Sequence, residues 1–219
     1  MPERLARVRE RIARAAAEAG RSVDSVTLLG VGKGQPVAAL REAAALGLRH
    51  FGENYLQEAL GKIQALRNPD LTWHFIGRLQ ANKTRDVAER FAWVHAVDRL
   101  RVAQRLSAQR PHHAPPLNVC IQVNLAHETS KSGASAAQTP ALAAQIATLP
   151  RLRLRGLMCL PPAGETHWLA QLRRLLESLN SKGMDLDTLS MGMSADIEDA
   201  VREGATIVRV GTAIFGDRG

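Results

Sequence analysis

This sequence has few cysteines, few aromatic residues and no long apolar run. Its 219 residues include two cysteines and 4% aromatics, and no stretch approaches the roughly 20 apolar residues of a membrane span. The charged start predicts no signal peptide, so we expect a cytoplasmic globular protein without membrane contact. Cys120 and Cys159 lie in apolar runs without metal-ligand spacing, which indicates buried thiols.

The positive charge is large but scattered. A net charge of +8 and a pI near 10.4 raise nucleic acid as a partner. The basic residues are interleaved with glutamates, and no aromatic-basic alternation forms a platform for single strands. Residues 1–21 predict a helix with one apolar stripe and a solvated basic face. The stripe consists of Leu5, Val8, Ile12, Ala15, Ala16 and Ala19, and the basic face includes Arg4, Arg7, Arg11 and Arg14. We therefore predict no nucleic acid partner.

Short β-like runs alternate with helical runs along the rest of the chain. The predicted strands are 25–33, 49–54, 71–77, 93–98, 117–125, 152–160, 188–193 and 206–211. The predicted helices are 36–47, 55–66, 80–91, 99–109, 136–148, 166–181 and 194–203. An open doubly wound sheet would also alternate, but eight even units without a linker favour a (β/α)₈ barrel. We predict a single α/β domain over 1–219, with the barrel in 25–216 preceded by the helix 1–21.

Lysine is scarce, and one lysine stands at a strand end. The chain has five lysines among 29 lysines and arginines, and Lys33 follows an apolar run and precedes the breakers Gly34 and Pro36. Lysine can lose its proton and attack a carbonyl to form a Schiff base, which arginine cannot do. The glycines around it fit neither nucleotide motif. A phosphate loop needs glycine at Thr27, and a dinucleotide fingerprint needs glycine at Gln35.

The carboxyl ends of barrel strands meet at one mouth, where binding groups are found. Ser194 is predicted to cap the helix 194–203, and Gly211 and Thr212 follow the last strand, a common place for phosphate sites. The alternative is structural, because Ser194 could simply cap its helix and Gly211 could simply turn the chain. A reactive lysine, phosphate donors and Arg209 near a ring nitrogen are the parts of a pyridoxal phosphate site. The predicted site residues are Lys33, Asn54, Ser194, Arg209, Gly211 and Thr212.

Motifs along almost the whole chain support this interpretation. They are HFGENY (50–55), WHFIG (73–77) with LQ (79–80) and NK (82–83), QVN (122–124), SKSG (130–133), RGLM (155–158), LSMGMS (189–194), VRVG (208–211) and IFG (214–216). With them the chain resembles the pyridoxal phosphate homeostasis protein family, whose fold is the alanine racemase N-terminal barrel.

The resemblance implies a role for each site residue. Lys33 forms a Schiff base with pyridoxal 5'-phosphate and Arg209 faces the pyridine nitrogen. Ser194 and the Gly211–Thr212 backbone hold the phosphate, and Asn54 contacts the cofactor or its surroundings. The partners implied are pyridoxal phosphate and the apoenzymes that use it.

Some positions depart from the family pattern or stay open. Gly32 and Gly34 stand where the family usually has Ser and Thr, Ala96 replaces a common Ser, and the segment after Pro162 is short. Lys83 and Lys131 lie in family motifs, and their role stays open. They are either solvent-facing or packing residues, or they form a second aldehyde site. His74 is either a base or a structural residue.

Non-catalytic binding is the preferred function. A racemase needs a base on each face of the ring. Lys33 can be one of them, and the usual second base is a tyrosine from a second domain. The sole tyrosine here, Tyr55, stands at a helix start instead. We therefore predict a carrier that buffers the cofactor, without catalytic residues, with weak amino-acid racemisation as the alternative. His112 and His113 indicate a loop and not a metal site. We expect a monomer or a weak dimer.

Overall fold

The computed structural model describes residues 1–129, 131–162 and 164–216. Eight parallel strands close into a barrel in sequence order, and the last strand pairs with the first. The strands are β1 Thr27–Val31, β2 His50–Glu53, β3 Thr72–Phe75, β4 Trp93–Val97, β5 Leu117–Val123, β6 Leu152–Cys159, β7 Thr188–Ser190 and β8 Ile207–Val210. The predicted (β/α)₈ fold is confirmed.

Helices follow the strands around the outside of the barrel. They are α1 Pro2–Glu18, α2 Val37–Ala45, α3 Leu56–Leu66, α4 Thr84–Arg90, α5 Leu100–Gln109, α6 Thr139–Ala147, α7 His167–Asn180, α8 Ile197–Arg202 and α9 Thr212–Phe215. Short 3₁₀ turns cover Val23–Ser25 and Ala81–Lys83. The predicted helix 80–91 is therefore a 3₁₀ turn followed by α4, and α9 was not predicted.

The apolar residues divide into an outer and an inner set. The large core joins the strands to the helices and includes Phe51, Val94 and Val119. Side chains alternate along each strand, so the intervening residues fill the barrel itself. The apolar inner residues form two small clusters, Leu29 with Ile76 and Ile207, and Ala96 with Cys120 and Met158. The barrel interior is therefore packed, and its polar groups need partners there.

The helix α1 packs against α8 and α9. Its predicted stripe is buried from Leu5 to Ala16. The prediction of a solvated basic face was wrong for Arg11, which is half-buried, pairs with Glu198 and donates to Ser194 O at 3.0 Å. Arg4 is exposed as predicted, and it also donates to Ile214 O at 2.9 Å. These contacts form because α1 lies beside the loops that follow β7 and β8.

Other predictions concern local features. Cys120 and Cys159 are free and buried, and burial raises the pKa of each thiol to about 12. His112 and His113 lie in a turn between α5 and β5. Within the described ranges there is no group of three or more His, Cys, Asp or Glu residues suited to a metal ion. None of the described helices combines the length and the hydrophobicity that a membrane span requires.

Candidate cofactor site

A cavity of about 470 Å³ opens at the carboxyl ends of the strands. All six predicted site residues line it, and so do Val31, Gln35, Ile76, Leu160, Met193, Ala195 and Gly216. The barrel topology thus brings together residues from β1, β2, β7 and β8 that are far apart in sequence. Lys33 and Arg209 are the titratable side chains among these lining residues.

Lys33 lies two residues beyond the end of β1, in a turn that is held from below. The ammonium of Lys62 on α3 donates to Gly32 O at 2.6 Å. The carboxylate of Glu58, one turn earlier on α3, accepts from Gly34 N at 2.7 Å and from Lys62 at 2.5 Å. The backbone is therefore fixed on both sides of Lys33.

Glu53 at the end of β2 completes this lysine–carboxylate cluster of Glu53, Glu58 and Lys62. Its Oε1 accepts from Lys62 at 2.9 Å, while its Oε2 is buried without a partner among the described residues. Burial raises the pKa of Glu53 to about 7, against the opposing effect of Lys62. Sequence reasoning missed this cluster. The spacing of Glu58 and Lys62, four residues apart on a helix, was the available signal.

At position 32, where the family usually has Ser and this chain has Gly32, there is no room for a side chain. A Cβ at this position would lie well under 3.0 Å from Glu53 Oε1 and 3.1 Å from Leu40 Cδ2. The next glycine, Gly34, has φ of 72°, a conformation that favours glycine. The loop around Lys33 therefore depends on backbone hydrogen bonds to the cluster and not on hydroxyl side chains.

Arg209 forms the floor of the cavity and is 4% exposed. Its guanidinium donates to Ser190 Oγ and to Cys159 O, both at 2.8 Å. Both acceptors are neutral, and burial lowers the pKa of Arg209 from its usual value. A guanidinium has five N–H donors and no acceptor, so donors are left for a ligand in the cavity.

Three histidines continue from Ser190 through the barrel interior. His95 Nδ1 lies 2.7 Å from Ser190 Oγ, His74 Nδ1 lies 2.9 Å from His95 Nε2, and His50 Nδ1 lies 3.0 Å from His74 Nε2. His74 stacks on Trp93 with 5.5 Å between ring centroids. His74 does not line the cavity, which favours the structural interpretation over that of a base. We call His50, His74, His95 and Ser190 the histidine chain.

The predicted role of Ser194 as a helix cap was wrong. The helix α8 begins at Ile197, because Asp196 Oδ1 accepts from Met193 N at 2.6 Å and closes a turn before it. Ser194 instead directs its Oγ to Ala213 N, at 3.4 Å, near the start of α9. Gly211 and Thr212 lie beside it on the same wall of the cavity. Ser194, Gly211 and Thr212 thus form one polar wall of the cavity, and Ser194 belongs to it without capping α8.

Asn54 follows β2 and lies on the wall between the main cavity and a neighbouring one. Its Oδ1 is buried without a hydrogen-bond partner in the described structure. Its backbone carbonyl packs so closely against Gly77 that a Cβ there would collide with it. Asn54 therefore has a fixed backbone and a free acceptor near the cavity.

The other candidate residues lie outside the main cavity. Lys83 and Tyr55 line the neighbouring cavity, and Tyr55 is 61% exposed. Lys131 pairs with Glu128 and donates to Leu160 O at 3.0 Å, and Ser130 of its motif lies outside the described residues. Ala96 packs against Cys120 and Met158. The structure does not bring these lysines to the Lys33 cavity.

Comparison with known proteins identifies the family of this chain. Residues 4–219 match the family model described as alanine racemase, N-terminal domain. The pyridoxal phosphate homeostasis protein of Pseudomonas aeruginosa is 58% identical over 221 residues, covering 99% of this chain and 95% of that protein.

Two solved structures of one protein are also similar to this chain. PipY of Synechococcus elongatus PCC7942 without PLP is 40% identical, with a TM-score of 0.89 and coverage of 99% of this chain and 100% of that one. PipY with PLP bound is 41% identical, with a TM-score of 0.83 and coverage of 94% and 100%. The chain therefore belongs to the alanine racemase N-terminal domain family and, within it, to the pyridoxal phosphate homeostasis proteins.

Proposed function

We propose that this protein binds pyridoxal 5'-phosphate in the Lys33 cavity and holds it as a Schiff base for intracellular cofactor homeostasis. The observation that carries the proposal is the joint placement of Lys33 and Arg209 in one cavity with the polar wall of Ser194, Gly211 and Thr212. The name of the relatives and the PLP bound to PipY support the choice of ligand.

The amine of Lys33 is available for a carbonyl. Ion pairs within the described ranges involve Lys62 and Lys131 and not Lys33. The neutral amine would form a bond from Nζ to the aldehyde carbon, and the aldehyde oxygen would leave as water. The lysine–carboxylate cluster fixes the backbone at Gly32 and Gly34, so the position from which the Lys33 side chain extends is defined.

The other site residues fit the remaining parts of the ligand. Ser194 and Thr212 offer hydroxyls on the wall of the cavity, which suits the oxygens of a phosphate. Arg209 offers only donors, which suits a ring nitrogen that keeps its lone pair. Asn54 offers its unpaired Oδ1 to a ligand donor.

Holding the cofactor is favoured over turning over a substrate. Racemisation needs two bases, and Lys33 is the one lining residue of the described structure that can serve as a base. The guanidinium beside the ring nitrogen would lower the pKa of that nitrogen, because like charges repel. The bound cofactor would then be a weak electron sink. Carriage to apoenzymes follows as the role, and weak racemisation is the alternative.

The proposal is tested by trapping the adduct. Purified protein mixed with pyridoxal phosphate is expected to gain a visible absorbance, and borohydride followed by peptide mass mapping should place the label on Lys33. The variant Lys33→Ala should lose both signals, while the exposed Lys182→Ala should keep them. A label on other lysines with Lys33 unmodified would refute the assignment.

A second assay separates the two functions. Single-enantiomer amino acids incubated with the loaded protein should keep their chirality to the level of the Lys33→Ala control. Turnover that depends on Lys33 would instead support the racemase.

A further inference from the structure

Inside the barrel, the histidine chain connects Arg209 to the half-buried His50 at the start of β2. Ser190 and His95 are fully buried, His74 is 1% exposed, and His50 is half-buried at the start of β2. Five polar side chains in one unbroken hydrogen-bonded row are costly to bury unless every member is satisfied. This requirement fixes where each proton sits.

The direction of the row is set at Arg209. A guanidinium cannot accept a hydrogen bond, so it must donate to Ser190 Oγ. If Ser190 also accepted from His95, its own hydroxyl proton would be buried without an acceptor, since Arg209 and His95 are its side-chain partners among the described residues. Ser190 therefore donates to His95 Nδ1.

Each imidazole in turn has its proton position set by the neighbour that donates to it. A neutral imidazole has one donor and one acceptor nitrogen. His95, which accepts at Nδ1, must donate from Nε2 to His74 Nδ1, and His74 must donate from Nε2 to His50 Nδ1. Burial lowers the pKa of all three histidines, and the nearby Arg209 charge also lowers that of His95, so the neutral forms prevail near pH 7.

We propose that the histidine chain has this single polarity, with His50, His74 and His95 each protonated at Nε2, and that it positions the Arg209 guanidinium in the cavity floor. Each acceptor lone pair in the row then points along the chain toward Arg209. Ser190 Oγ thus accepts from the guanidinium as a carboxylate oxygen would, but without a negative charge. Ser190, His95, His74 and His50 are positioning residues, because they act on a ligand through Arg209. Their effect on the cofactor rests on the proposed function.

The consequence is an arginine fixed in place by neutral partners. A carboxylate partner would compete with the ligand for the guanidinium charge, whereas Ser190 and the Cys159 carbonyl leave that charge uncompensated. A disordered guanidinium would lose orientation when the cavity is empty. The histidine chain prevents this because hydrogen bonds in a row polarise one another.

The polarity is tested on the wild-type, ligand-free protein by NMR with ¹⁵N-labelled histidine. Couplings across the hydrogen bonds should connect His95 Nε2–H to His74 Nδ1, and His74 Nε2–H to His50 Nδ1. Protonation at Nδ1 of His74 or His95 would overturn the proposed polarity. Resolved, slowly exchanging Nη–H signals from Arg209 are expected, and a single averaged signal would overturn the positioning role.

The variant Ser190→Ala tests the link to the cofactor. Loss of a hydrogen bond to a charged group should weaken pyridoxal phosphate binding about 10-fold to 100-fold. Ser107→Ala is the matched control, because Ser107 is also buried and donates to Pro150 O, but does not line the cavity. Its affinity should stay within about twofold. Binding by Ser190→Ala at wild-type affinity would overturn the positioning role.

The outcomes distinguish this inference from the proposed function. If wild-type protein forms no adduct on Lys33, the proposed function fails, while the ligand-free NMR experiment still decides the polarity. If the adduct forms but the tautomers are reversed, only the inference fails. If Ser190→Ala does not fold, the Arg209 Nη signals of the wild type decide the positioning role.

Discussion

The two cations of the cavity are held by buried networks of opposite character. The loop of Lys33 rests on the lysine–carboxylate cluster, in which full charges of both signs meet. Arg209 rests on the histidine chain, whose members are all neutral. The cluster fixes backbone atoms and leaves the Lys33 side chain free, whereas the histidine chain fixes the side chain itself. Under the proposed function, the residue that reacts with the cofactor therefore keeps a mobile side chain, and the residue that orients the cofactor has a rigid frame.

Of the variants considered, breaking the lysine–carboxylate cluster should cause the largest loss of stability. Lys62→Met removes the one described donor to the buried carboxylate of Glu53 and one of two donors each to Glu58 and Gly32 O, so we expect a loss of about 3–5 kcal/mol in the free energy of unfolding. Urea denaturation measures it, with exposed Lys182→Met expected within about 0.5 kcal/mol of wild type. A loss below about 1 kcal/mol would show that the cluster is solvated.

The second difference is the response to acid. The pKa of His95 is lowered to about 3 in the folded state from an ordinary 6.5. As the pH falls below 6.5 the unfolded chain gains protons first, so stability should fall by about 1.5–2 kcal/mol between pH 6.5 and 5 from this group. His95→Gln, which does not titrate, should flatten the urea-unfolding profile over this range.

Glu53 gives the opposite sign and serves as the control. Its pKa is raised to about 7, so its stabilising contribution is present below the ordinary value and is lost as the pH rises toward 7. It therefore offsets part of the histidine effect, and Glu53→Gln should make the acid loss steeper. If both variants shifted the profile in the same direction, the contrast between the two networks would be wrong.

The smallest expected effect comes from filling the space beside Glu53. Gly32→Ala brings a Cβ against Glu53 Oε1 and Leu40, and overpacking of this kind should cost at least about 1 kcal/mol. Gly61→Ala is the matched control, because a Cβ there, in α3, meets nothing within 4 Å. It should stabilise the protein by up to about 1 kcal/mol. If Gly32→Ala and Gly61→Ala changed the thermal unfolding temperature equally, a glycine at position 32 would not be needed to accommodate Glu53.

The site was predictable where chain order alone places a residue. Lys33, Asn54, Gly211 and Thr212 follow strands, Arg209 lies one residue before the end of β8, and a parallel barrel carries all such ends to one mouth. Ser194 reached the predicted cavity for a different reason, since the turn closed by Asp196 delays the helix. A cap pattern in sequence cannot show which of several polar side chains closes the first turn.

The sequence by itself determined the eight strand–helix units, the buried stripe of α1 and the set of residues at the mouth, because periodicity and chain order are local properties. Only the tertiary structure decided how the two cations are held. Lys62 meets Gly32 across 30 positions and His95 meets Ser190 across 95. Such pairs depend on the tilt and register of the closed barrel, which decide the inward-facing side chains that share a layer.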